Sequence, residues 1–396
     1  MEIIVSGVGI VSGIGFGAAE TLAAMAGRRA GLGGLTLFDS VYRDVFPVAE
    51  VKAGNRVLKQ RLGLPEGKTF SRTALLGLLA AVEAVDDARL PLRKGLRVGF
   101  VSGTTVGGMD RSEGFYGSFL LHPGGGRLRD VAVHDCADST EEMAVRIGAT
   151  GYMATVSTAC SSGANAIILG ARLIRHNVVD CVVAGGVDAL CKFTLNGFAS
   201  LKILDDAPCR PLDESRAGLN LGEGAGYVVL ERKSADSPGA YCRLAGYANV
   251  CEAFHQTASS PEGHGPYEAM RQALASAGMV AEAVDYINFH GTGTRNNDLA
   301  EGNAVKRLFA KRVPFLSSTK AFTGHTLGAA GGIEAVLSAL AIKYGLLYPN
   351  LNYTRPVAEH GLPPVTGFRQ GVEINTVLSN SFGFGGNDSS LLFSKV

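Results

Sequence analysis

The sequence predicts an α/β fold made of two similar halves, and two observations lead to this prediction. Apolar segments rich in β-branched residues alternate with Ala- and Leu-rich segments at helical spacing, and glycines separate them; this pattern is typical of a layered α/β protein. The same order of strands and helices begins again after a polar stretch at 232–239. We therefore predict an internal duplication, with one half at 1–235 and the other at 236–396.

Composition excludes several classes of function. The 396 residues are 46% hydrophobic, which is enough for substantial cores. Lys and Arg number 37 against 36 acidic residues, so no overall field favours nucleic acid or an anionic membrane. The 7 cysteines include no CxxC pair, which predicts neither a disulfide framework nor a metal site. The start of the chain lacks a basic signal region and no apolar run is of membrane-spanning length, so we expect a cytoplasmic protein without membrane insertion.

The first half is predicted element by element from its periodicity. Residues 3–13 predict a strand followed by turns, with glycines at Gly7, Gly9 and Gly13. Their spacing is not that of the dinucleotide-binding fingerprint, and no second strand ends in an acidic residue at the expected distance, so we expect no nucleotide site. The other predictions are helices near 18–26 and at 71–87, strands at 97–102, at 181–186 and up to 230, a loop at 103–114 and a surface excursion at 122–138.

Cys160 is the first candidate for a functional residue. A short apolar run at 153–157 predicts a buried strand, and apolar residues at helical spacing predict a helix from Ser161 onward, so Cys160 lies on the turn between them. The unpaired N–H groups at a helix start stabilise an anion, and we therefore expect this thiol to ionise easily and to act as a nucleophile. Its small neighbours, such as Ala159 and Gly163, leave the sulfur accessible. A buried structural cysteine is the alternative, because free cysteines are among the most buried residues.

Two histidines in the second half lie next to the ends of predicted elements. His290 follows a strand at 284–288, and His325 precedes a helix at 328–344. A single histidine is more often structural than catalytic, whereas two histidines in loops of small residues indicate a catalytic site. The other predicted elements of this half are strands at 241–250 and 314–317 and helices at 266–277 and 297–309.

The stretch Asn380–Asp388 alternates aromatic residues with glycines. One interpretation is a β-turn between the last two strands. The other is a loop that presents backbone N–H groups and an aromatic gate to a pocket. The residues alone leave both interpretations open.

Several motifs occur in the order of one known family: SGVGIVS, TACSSGANAI, AGGVDAL, RPLDESRAGLNLGEGAG, HGTGTRNND, KAFTGHTLGAAGGIEA and NSFGFGGND. Over nearly the whole chain the sequence resembles the β-ketoacyl-acyl carrier protein synthases, the condensing enzymes of fatty acid and polyketide synthesis. It is more similar to the elongating type, which has two histidines, than to the initiating type, which pairs one histidine with an asparagine. The resemblance implies a thiolase-like fold, in which two duplicated α/β halves form a five-layered α-β-α-β-α core, and a dimer.

The resemblance also implies the roles of individual residues. Cys160 would hold an acyl group, and His290 and His325 would assist the decarboxylation of malonyl-acyl carrier protein, whose enolate then attacks to give a 3-oxoacyl product. Backbone N–H groups of Cys160 and Phe384 would hold the tetrahedral oxyanion. The remaining matches are Lys320, its partner Glu334, Thr292 and Thr294 as hydroxyls that bind the phosphopantetheine arm, and Phe384 as the gate of the acyl pocket.

Expected partners follow from the same resemblance. No cofactor is expected, because phosphopantetheine arrives on the acyl carrier protein. A homodimer is expected, with a heterodimer as the alternative, and Val106 and Met109 would lie near the partner's acyl channel. An acidic carrier protein would dock on a basic rim. The candidates for this rim are Lys59, Arg61, Lys68 and Arg72, for which a solvated helix face is the other explanation.

The chain departs from the family's usual residues at Leu219-Asn220, at Asn387-Asp388 and in 134–145. These departures leave open the acyl chain length and the choice between fatty acid and polyene or polyketide synthesis. A thiolase acting on coenzyme A esters would need a second cysteine near the C-terminus, but the last cysteine is Cys251. A subunit that sets chain length in a ketosynthase heterodimer is the other alternative. Such a subunit usually lacks the nucleophile, so Cys160 argues against it.

Overall fold

The computed structural model describes residues 1–90, 95–233 and 239–396. The elements of the first half are β1 (Ile3–Ser12), β2 (Gly15–Phe16), α1 (Gly17–Ala26), α2 (Asn55–Leu62), α3 (Arg72–Asp87), β3 (Val98–Gly103), α4 (Met109–Leu121), α5 (Leu128–Val131), α6 (Cys136–Ile147), β4 (Met153–Val156), α7 (Ser162–Arg175), β5 (Cys181–Asp188), α8 (Lys192–Ser200) and β6 (Gly224–Arg232). Those of the second half are β7 (Cys242–Cys251), α9 (His264–Ala277), β8 (Tyr286–Asn288), α10 (Arg295–Leu308), β9 (Phe315–Ser317), α11 (Lys320–Thr323), α12 (Ala330–Tyr344), β10 (Thr376–Gly383) and β11 (Asn387–Ser394). The predicted division at 235 lies outside the described residues.

The two halves have the same strand order. It is β4-β3-β5-β6-β1 in the first half and β9-β8-β10-β11-β7 in the second. In each half the first three strands of that order are parallel, and the remaining pairings are antiparallel. β1 and β7 join the two sheets through a short contact of two residue pairs, Ile4 with Arg243 and Val5 with Cys242. The predicted duplication is therefore confirmed.

The helices complete five layers. α3 packs on the outer face of the first sheet, α9 packs on the outer face of the second with α10 beside it, and α7 and α12 lie between the sheets. The buried apolar clusters follow these layers, with a central cluster that includes α7 and α12 and one cluster on each outer side. The thiolase-like core implied by the family resemblance is observed.

One segment, Leu327–Tyr344, is long and apolar enough to cross a membrane, but 89% of it is buried inside the molecule. It forms α12 and the turn before it, in the central layer between the two sheets. A helix that is apolar on all sides is expected where both faces are covered by protein. The segment is thus a buried core helix of this fold.

The glycines at the start of the chain have a packing role. A Cβ built on Gly9 would lie 2.0 Å from the carbonyl oxygen of Ala80, and one built on Gly7 would lie 2.4 Å from that of Ala84. β1 therefore approaches the backbone of α3 more closely than any side chain would allow.

Some predicted elements are wrong. The loop predicted at 103–114 becomes α4 from Met109 onward. The segment predicted as a surface excursion at 122–138 is mostly exposed, as expected, but it also contains α5 and the start of α6. The sequence also does not predict α2 and α8. α2 buries only Leu58 and Leu62, and α4 buries none of its residues, so neither helix has a wide apolar stripe.

Candidate active site

Cys160 lies on the turn between β4 and α7, as predicted. Ala159 before it has φ 51°, in the left-handed region that residues other than glycine seldom adopt. Gly163, in the first turn of α7, lies against the second half, because a Cβ built there would be 2.7 Å from the backbone nitrogen of Gly332. The absence of a side chain at this position lets the start of α7 meet the start of α12. The loops that carry Cys160 and His325 are therefore brought together.

The thiol and the two imidazoles, which come from three separate motifs, meet in one place. Nε2 of His325 lies 3.1 Å from Sγ of Cys160. The rings of His290 and His325 are edge to face, with centroids 5.3 Å apart. All three side chains are buried, and one nitrogen or sulfur atom from each lies within 4.8 Å of the others.

Lys320 determines the tautomer of His290. Its Nζ lies 3.3 Å from Nδ1 of His290 and forms a very short ion pair with Glu334. An ammonium can only donate, so Nδ1 accepts and Nε2 carries the ring proton. The cluster has the atom types of a zinc site. The proton on Nε2 and the nearby ammonium, however, suit an oxygen anion better than a metal cation.

Buried polar groups hold the two histidine loops in place. Glu301 accepts the backbone N–H of His290 and that of the next residue, each at 2.9 Å. His325 donates its backbone N–H to the carbonyl oxygen of Asn220 at 2.7 Å. The Asn220 side chain in turn accepts the N–H of Cys209 at 2.6 Å. The side chain at this departure from the family pattern thus ties residue 220 to Cys209, while the backbone carbonyl of the same residue holds the loop that carries His325.

Burial determines the protonation of the site. Burial and the Lys320 charge lower the pKa of both His290 and His325 well below the usual range, so the imidazoles are neutral. The prediction that the Cys160 thiol ionises easily is wrong. Burial raises the pKa of Cys160 to about 11, although the Lys320 charge and the backbone N–H groups of Phe384 and Cys160 oppose this. A neutral thiol needs a proton acceptor in order to attack, and His325 is in contact with it.

A cavity of about 290 Å³ contains the site. Thr292 and Thr294 line it, with their hydroxyl oxygens 2.9 Å apart. Thr294 is also the N-cap of α10, and its hydroxyl accepts the N–H of Asn297 at 3.4 Å. Phe384 lines the same cavity and stacks on Phe198, with ring centroids 5.9 Å apart. The residues predicted to contact substrate therefore share one cavity with the thiol.

Sequence reasoning missed three charged residues near the site. Lys202 and Arg295 are exposed and line the cavity. Arg295 directly follows the HGTGT motif, which could have identified it, whereas nothing in the sequence marks Lys202. Asp188 is buried and accepts the hydroxyl of Thr105 at 2.6 Å and the N–H of Gly328 at 2.7 Å. The AGGVDAL motif could have identified Asp188, because it is the only charged residue in that motif.

The predicted basic rim is wrong at Arg72. This side chain is 4% exposed and forms a bidentate ion pair with Glu223, at 2.7 and 2.6 Å. The partner is 151 residues away in the sequence, so the local pattern around Arg72 could not reveal it. Of the other candidates, Lys59 is half-buried, whereas Arg61 and Lys68 are exposed.

Two other predicted regions have defined surroundings. Val106 is buried in an apolar cluster with Leu190 and Leu195, and Met109 packs against that cluster. Residues 134–145, which differ from the family's usual residues, form most of α6. The proximity of Val106 and Met109 to a partner's acyl channel stays a prediction.

The fold and the site together define a chemical class. It is a duplicated α/β protein with a cavity in which a thiol can hold an acyl group beside an imidazole base and backbone N–H donors. Residues 59–236 match the family described as "Beta-ketoacyl synthase, N-terminal domain", and residues 241–354 match "Beta-ketoacyl synthase, C-terminal domain". The chain belongs to the β-ketoacyl synthase family.

Relatives and solved structures agree with this family. Over 412 residues the chain is 33% identical to 3-oxoacyl-[acyl-carrier-protein] synthase 2 of Staphylococcus aureus (strain MRSA252), covering 100% of this chain and 98% of the relative. It is similar to the ishigamide ketosynthase/chain length factor, with a TM-score of 0.93, 28% identity and coverage of 100% and 99%. It is also similar to the ketosynthase ApeO in complex with its chain length factor ApeC from Xenorhabdus doucetiae, with a TM-score of 0.84, 29% identity and coverage of 100% and 98%. The family implied by the sequence motifs is confirmed.

Proposed function

We propose that this chain catalyses the decarboxylative condensation of an acyl group, held on Cys160, with malonyl-acyl carrier protein to give 3-oxoacyl-acyl carrier protein. The observation that carries this proposal is the 3.1 Å contact between Sγ of Cys160 and Nε2 of His325, beside the second buried imidazole of His290. The enzyme is an acyltransferase of fatty acid synthesis or of a related polyene or polyketide pathway.

The first step is acyl transfer to sulfur. Cys160 gives its proton to Nε2 of His325 while the sulfur attacks the carbonyl carbon of an acyl thioester on the carrier protein. The backbone N–H groups of Cys160 and Phe384 lower the pKa of the thiol by hydrogen bonding, so they are placed to hold the tetrahedral oxyanion. The imidazolium returns the proton to the departing carrier thiol. The products are an acyl-cysteine and a neutral His325.

The second step is decarboxylation of the malonyl group. His290 donates its Nε2–H to the malonyl thioester oxygen, in the tautomer that Lys320 imposes. Neutral His325 is the second donor to the same oxygen, after its ring proton has moved from Nδ1 to Nε2 by exchange with solvent while the two carrier proteins change places. The bond to the carboxylate carbon breaks, carbon dioxide leaves, and the electron pair forms an enolate that these donors stabilise.

The third step forms the carbon–carbon bond. The enolate carbon attacks the acyl carbonyl on Cys160, and the same backbone N–H groups hold the new oxyanion. The intermediate collapses to the 3-oxoacyl thioester. Cys160 leaves as a thiolate and takes up one proton, which restores the starting state.

Carrier recognition involves the mouth of the cavity. The hydroxyls of Thr292 and Thr294 bind the phosphopantetheine arm, and Phe384 acts as the gate to the acyl pocket. Lys202 and Arg295 supply exposed positive charge at the same cavity, which suits the phosphate of the arm and an acidic carrier surface. The enzyme then needs no resident cofactor.

The enzyme works as a dimer in the cytoplasm. β4 is the edge strand of the first sheet, and its neighbour Tyr152 and its first residue Met153 are 43% and 45% exposed. Leu120 and Leu121 at the end of α4 are 64% and 90% exposed. Such apolar exposure favours a protein partner. A homodimer is the first proposal, and the second is a heterodimer with a chain length factor, as in the complex of ApeO with ApeC.

Intact-mass measurement tests this function. The protein and its Cys160→Ala variant are incubated with a series of acyl-carrier proteins and then with malonyl-carrier protein. We expect acyl mass only when Cys160 is present, followed by its discharge as a 3-oxoacyl product. If the pure chain accepts no chain length but a chain length factor restores acylation, the heterodimer replaces the homodimer. If neither condition gives acylation, the proposed function is wrong.

A further inference from the structure

The gate segment, residues 383–386, runs from the last residue of β10 to the start of β11 and is held by the facing segment, residues 252–260. The N–H of Glu252 donates to the carbonyl oxygen of Gly386 at 2.8 Å, and Gly385 donates to a carbonyl of the same facing segment at 2.7 Å. Residues of both segments line the cavity. The position of the gate segment therefore depends on how the two segments fit together.

Asp388 lies directly behind the gate segment, on β11. Its side chain is fully buried, and neither carboxylate oxygen has a hydrogen-bond partner within the described parts of the chain. A Cβ built on Gly265 would lie 2.0 Å from Oδ2 of Asp388 and 3.1 Å from Oε2 of Glu252. These two oxygens are therefore no more than about 5 Å apart. The charged groups that act on Asp388 are the acids Glu252 and Glu301, and burial raises the pKa of Glu301 itself to about 8. A buried carboxylate in this position is costly if ionised.

Glu252 differs from Asp388 because its carboxylate is fully engaged as an acceptor. It accepts the hydroxyl of Ser260 at 2.5 Å and the N–H of Gly265 at 3.2 Å. It also lies at the start of α9, where backbone N–H groups favour an anion. Of the two neighbouring acids, Asp388 is therefore the one that holds a proton. Burial, with the charges of Glu252 and Glu301, raises the pKa of Asp388 to about 8.

We propose that Asp388 is a positioning residue that holds the gate segment against the facing segment by keeping its proton at neutral pH, and that its ionisation at alkaline pH drives the two segments apart. A negative charge on Asp388 would repel Glu252, whose backbone makes one of the hydrogen bonds to the gate segment. The gate segment carries the Phe384 backbone N–H, which lowers the pKa of the Cys160 thiol. Separation of the segments would thus withdraw an oxyanion donor and lower acyl transfer.

Contacts at the start of β11 show why a movement of the gate segment would affect the thiol of Cys160. Oδ1 of Asn387, the residue before Asp388, accepts the hydroxyl of Ser161 at 3.0 Å and the amide of Asn165 at 2.8 Å. Ser161 is the neighbour of Cys160. The departure from the family pattern at Asn387-Asp388 therefore joins the gate segment to the turn that carries the nucleophile. The consequence for acyl transfer rests on the proposed function, whereas the movement of the segments does not.

A single tryptophan tests the movement without substrate. The chain contains no tryptophan, and Phe254 of the facing segment is 55% exposed, so Phe254→Trp provides a fluorescent reporter. Measured between about pH 7.5 and 9.5 in a Cys251→Ser background, its emission should change near pH 8, and Asp388→Asn should remove most of this change. Any change that remains belongs to Glu301, whose pKa burial also raises to about 8.

The pH range lies below the ionisation of ordinary tyrosines and above that of ordinary histidines, since His255 is next to the reporter. Cys251→Ser removes an exposed thiol 3.9 Å from the carbonyl oxygen of Gly385. Glu262→Gln, which removes an exposed acid just beyond the facing segment, is the matched control and should leave the titration unchanged.

Two further measurements complete the test. Glu252→Gln should move the midpoint to lower pH, since it removes the neighbouring negative charge. In the active enzyme, kcat/KM for acyl transfer should fall about tenfold per pH unit above the midpoint, and Asp388→Asn should abolish this fall. The proposal is overturned if the reporter titrates equally with Asp388→Asn, or if it does not titrate at all. An inactive enzyme with the expected titration would refute the proposed function and leave the role of Asp388 standing.

Discussion

The two halves of the molecule share one backbone design but differ in the side chains that they present. In each half a residue with positive φ lies three positions before the central helix, Ala159 at 51° before α7 and Leu327 at 52° before α12. The first of these loops carries a thiol among small uncharged residues, and the second is preceded by the charged Lys320 and by His325. The comparison teaches that the duplication supplied matching turns, and that the chemistry came from different side chains on them.

A second difference concerns how the loops are fixed. The loop after β3 in the first half is tied to the buried carboxylate of Asp188, and the loop after β8 in the second half is tied to that of Glu301. Asp188 also accepts the N–H of Gly328 from the second half. Glu301 binds groups of its own half, His290 and Asn380. The first half therefore contributes Cys160 and also an anchor for the turn that follows His325.

Removal of each histidine is expected to give the largest effects and to show whether the two imidazoles differ. His325→Ala should lower acyl transfer to Cys160 by about 10²- to 10⁴-fold, because the general base is lost. His290→Ala should leave acyl transfer nearly unchanged and lower malonyl decarboxylation. Single-turnover acylation followed by intact mass, beside carbon dioxide release, distinguishes the two steps. Equal losses of both steps in both variants would contradict this division of roles.

Lys320→Met is expected to destabilise the second half strongly. It leaves Glu334 buried without its cation, at a cost of about 3–5 kcal/mol in the free energy of unfolding. Burial raises the pKa of Glu334 to about 7 even with Lys320 present. The loss should therefore be smaller at pH 5, where Glu334 keeps its proton, and should grow as the pH rises. Urea unfolding measures it, and the double variant with Glu334→Leu should recover most of the stability at high pH. No dependence on pH would count against the buried pair.

The reactivity of Cys160 tests whether the start of α7, which favours the thiolate, or burial, which favours the thiol, determines the pKa of this side chain. Because burial raises the thiol pKa to about 11, alkylation by iodoacetamide should keep rising about tenfold per pH unit above pH 9, where an ordinary cysteine is already ionised. At pH 7 the rate should be about 10²-fold below that of an unperturbed thiol. Mass spectrometry of the Cys160 peptide gives the rate. A plateau below pH 8 would indicate a thiolate–imidazolium pair instead.

Gly163→Ala tests the contact between the two central helices. The added Cβ would meet the backbone at Gly332, and we expect a loss of about 1–3 kcal/mol in stability together with weaker acyl transfer. Gly197→Ala in α8 is the matched control, because nothing lies within 4 Å of its Cβ position. This control should be neutral or stabilised by up to about 1 kcal/mol. Equal stability of the two variants would show that the halves can separate slightly without loss.

The sequence predicts the architecture and the central cluster well, for identifiable reasons. Buried strands and the core helices are marked by apolar runs and periodicity, and Cys160, His290 and His325 are marked by motifs of small residues. The missed helix α4 buries no residue in this chain, so it carries no periodic signal. The burial of Arg72 and the high pKa of Cys160 depend on residues far away in the sequence. Local patterns cannot show such long-range surroundings.

The position of β1 has a consequence for how the chain is made. β1 is synthesised long before its main partner β6, with which it pairs Ile3 opposite Arg232. At about 5–20 residues per second, a ribosome needs roughly 10–45 s to add the chain between these partners. During that time the apolar β1 has no sheet to join. A nascent chain of this protein therefore exposes β1 until β6 has been translated as far as Arg232, and assistance by chaperones would act in that interval.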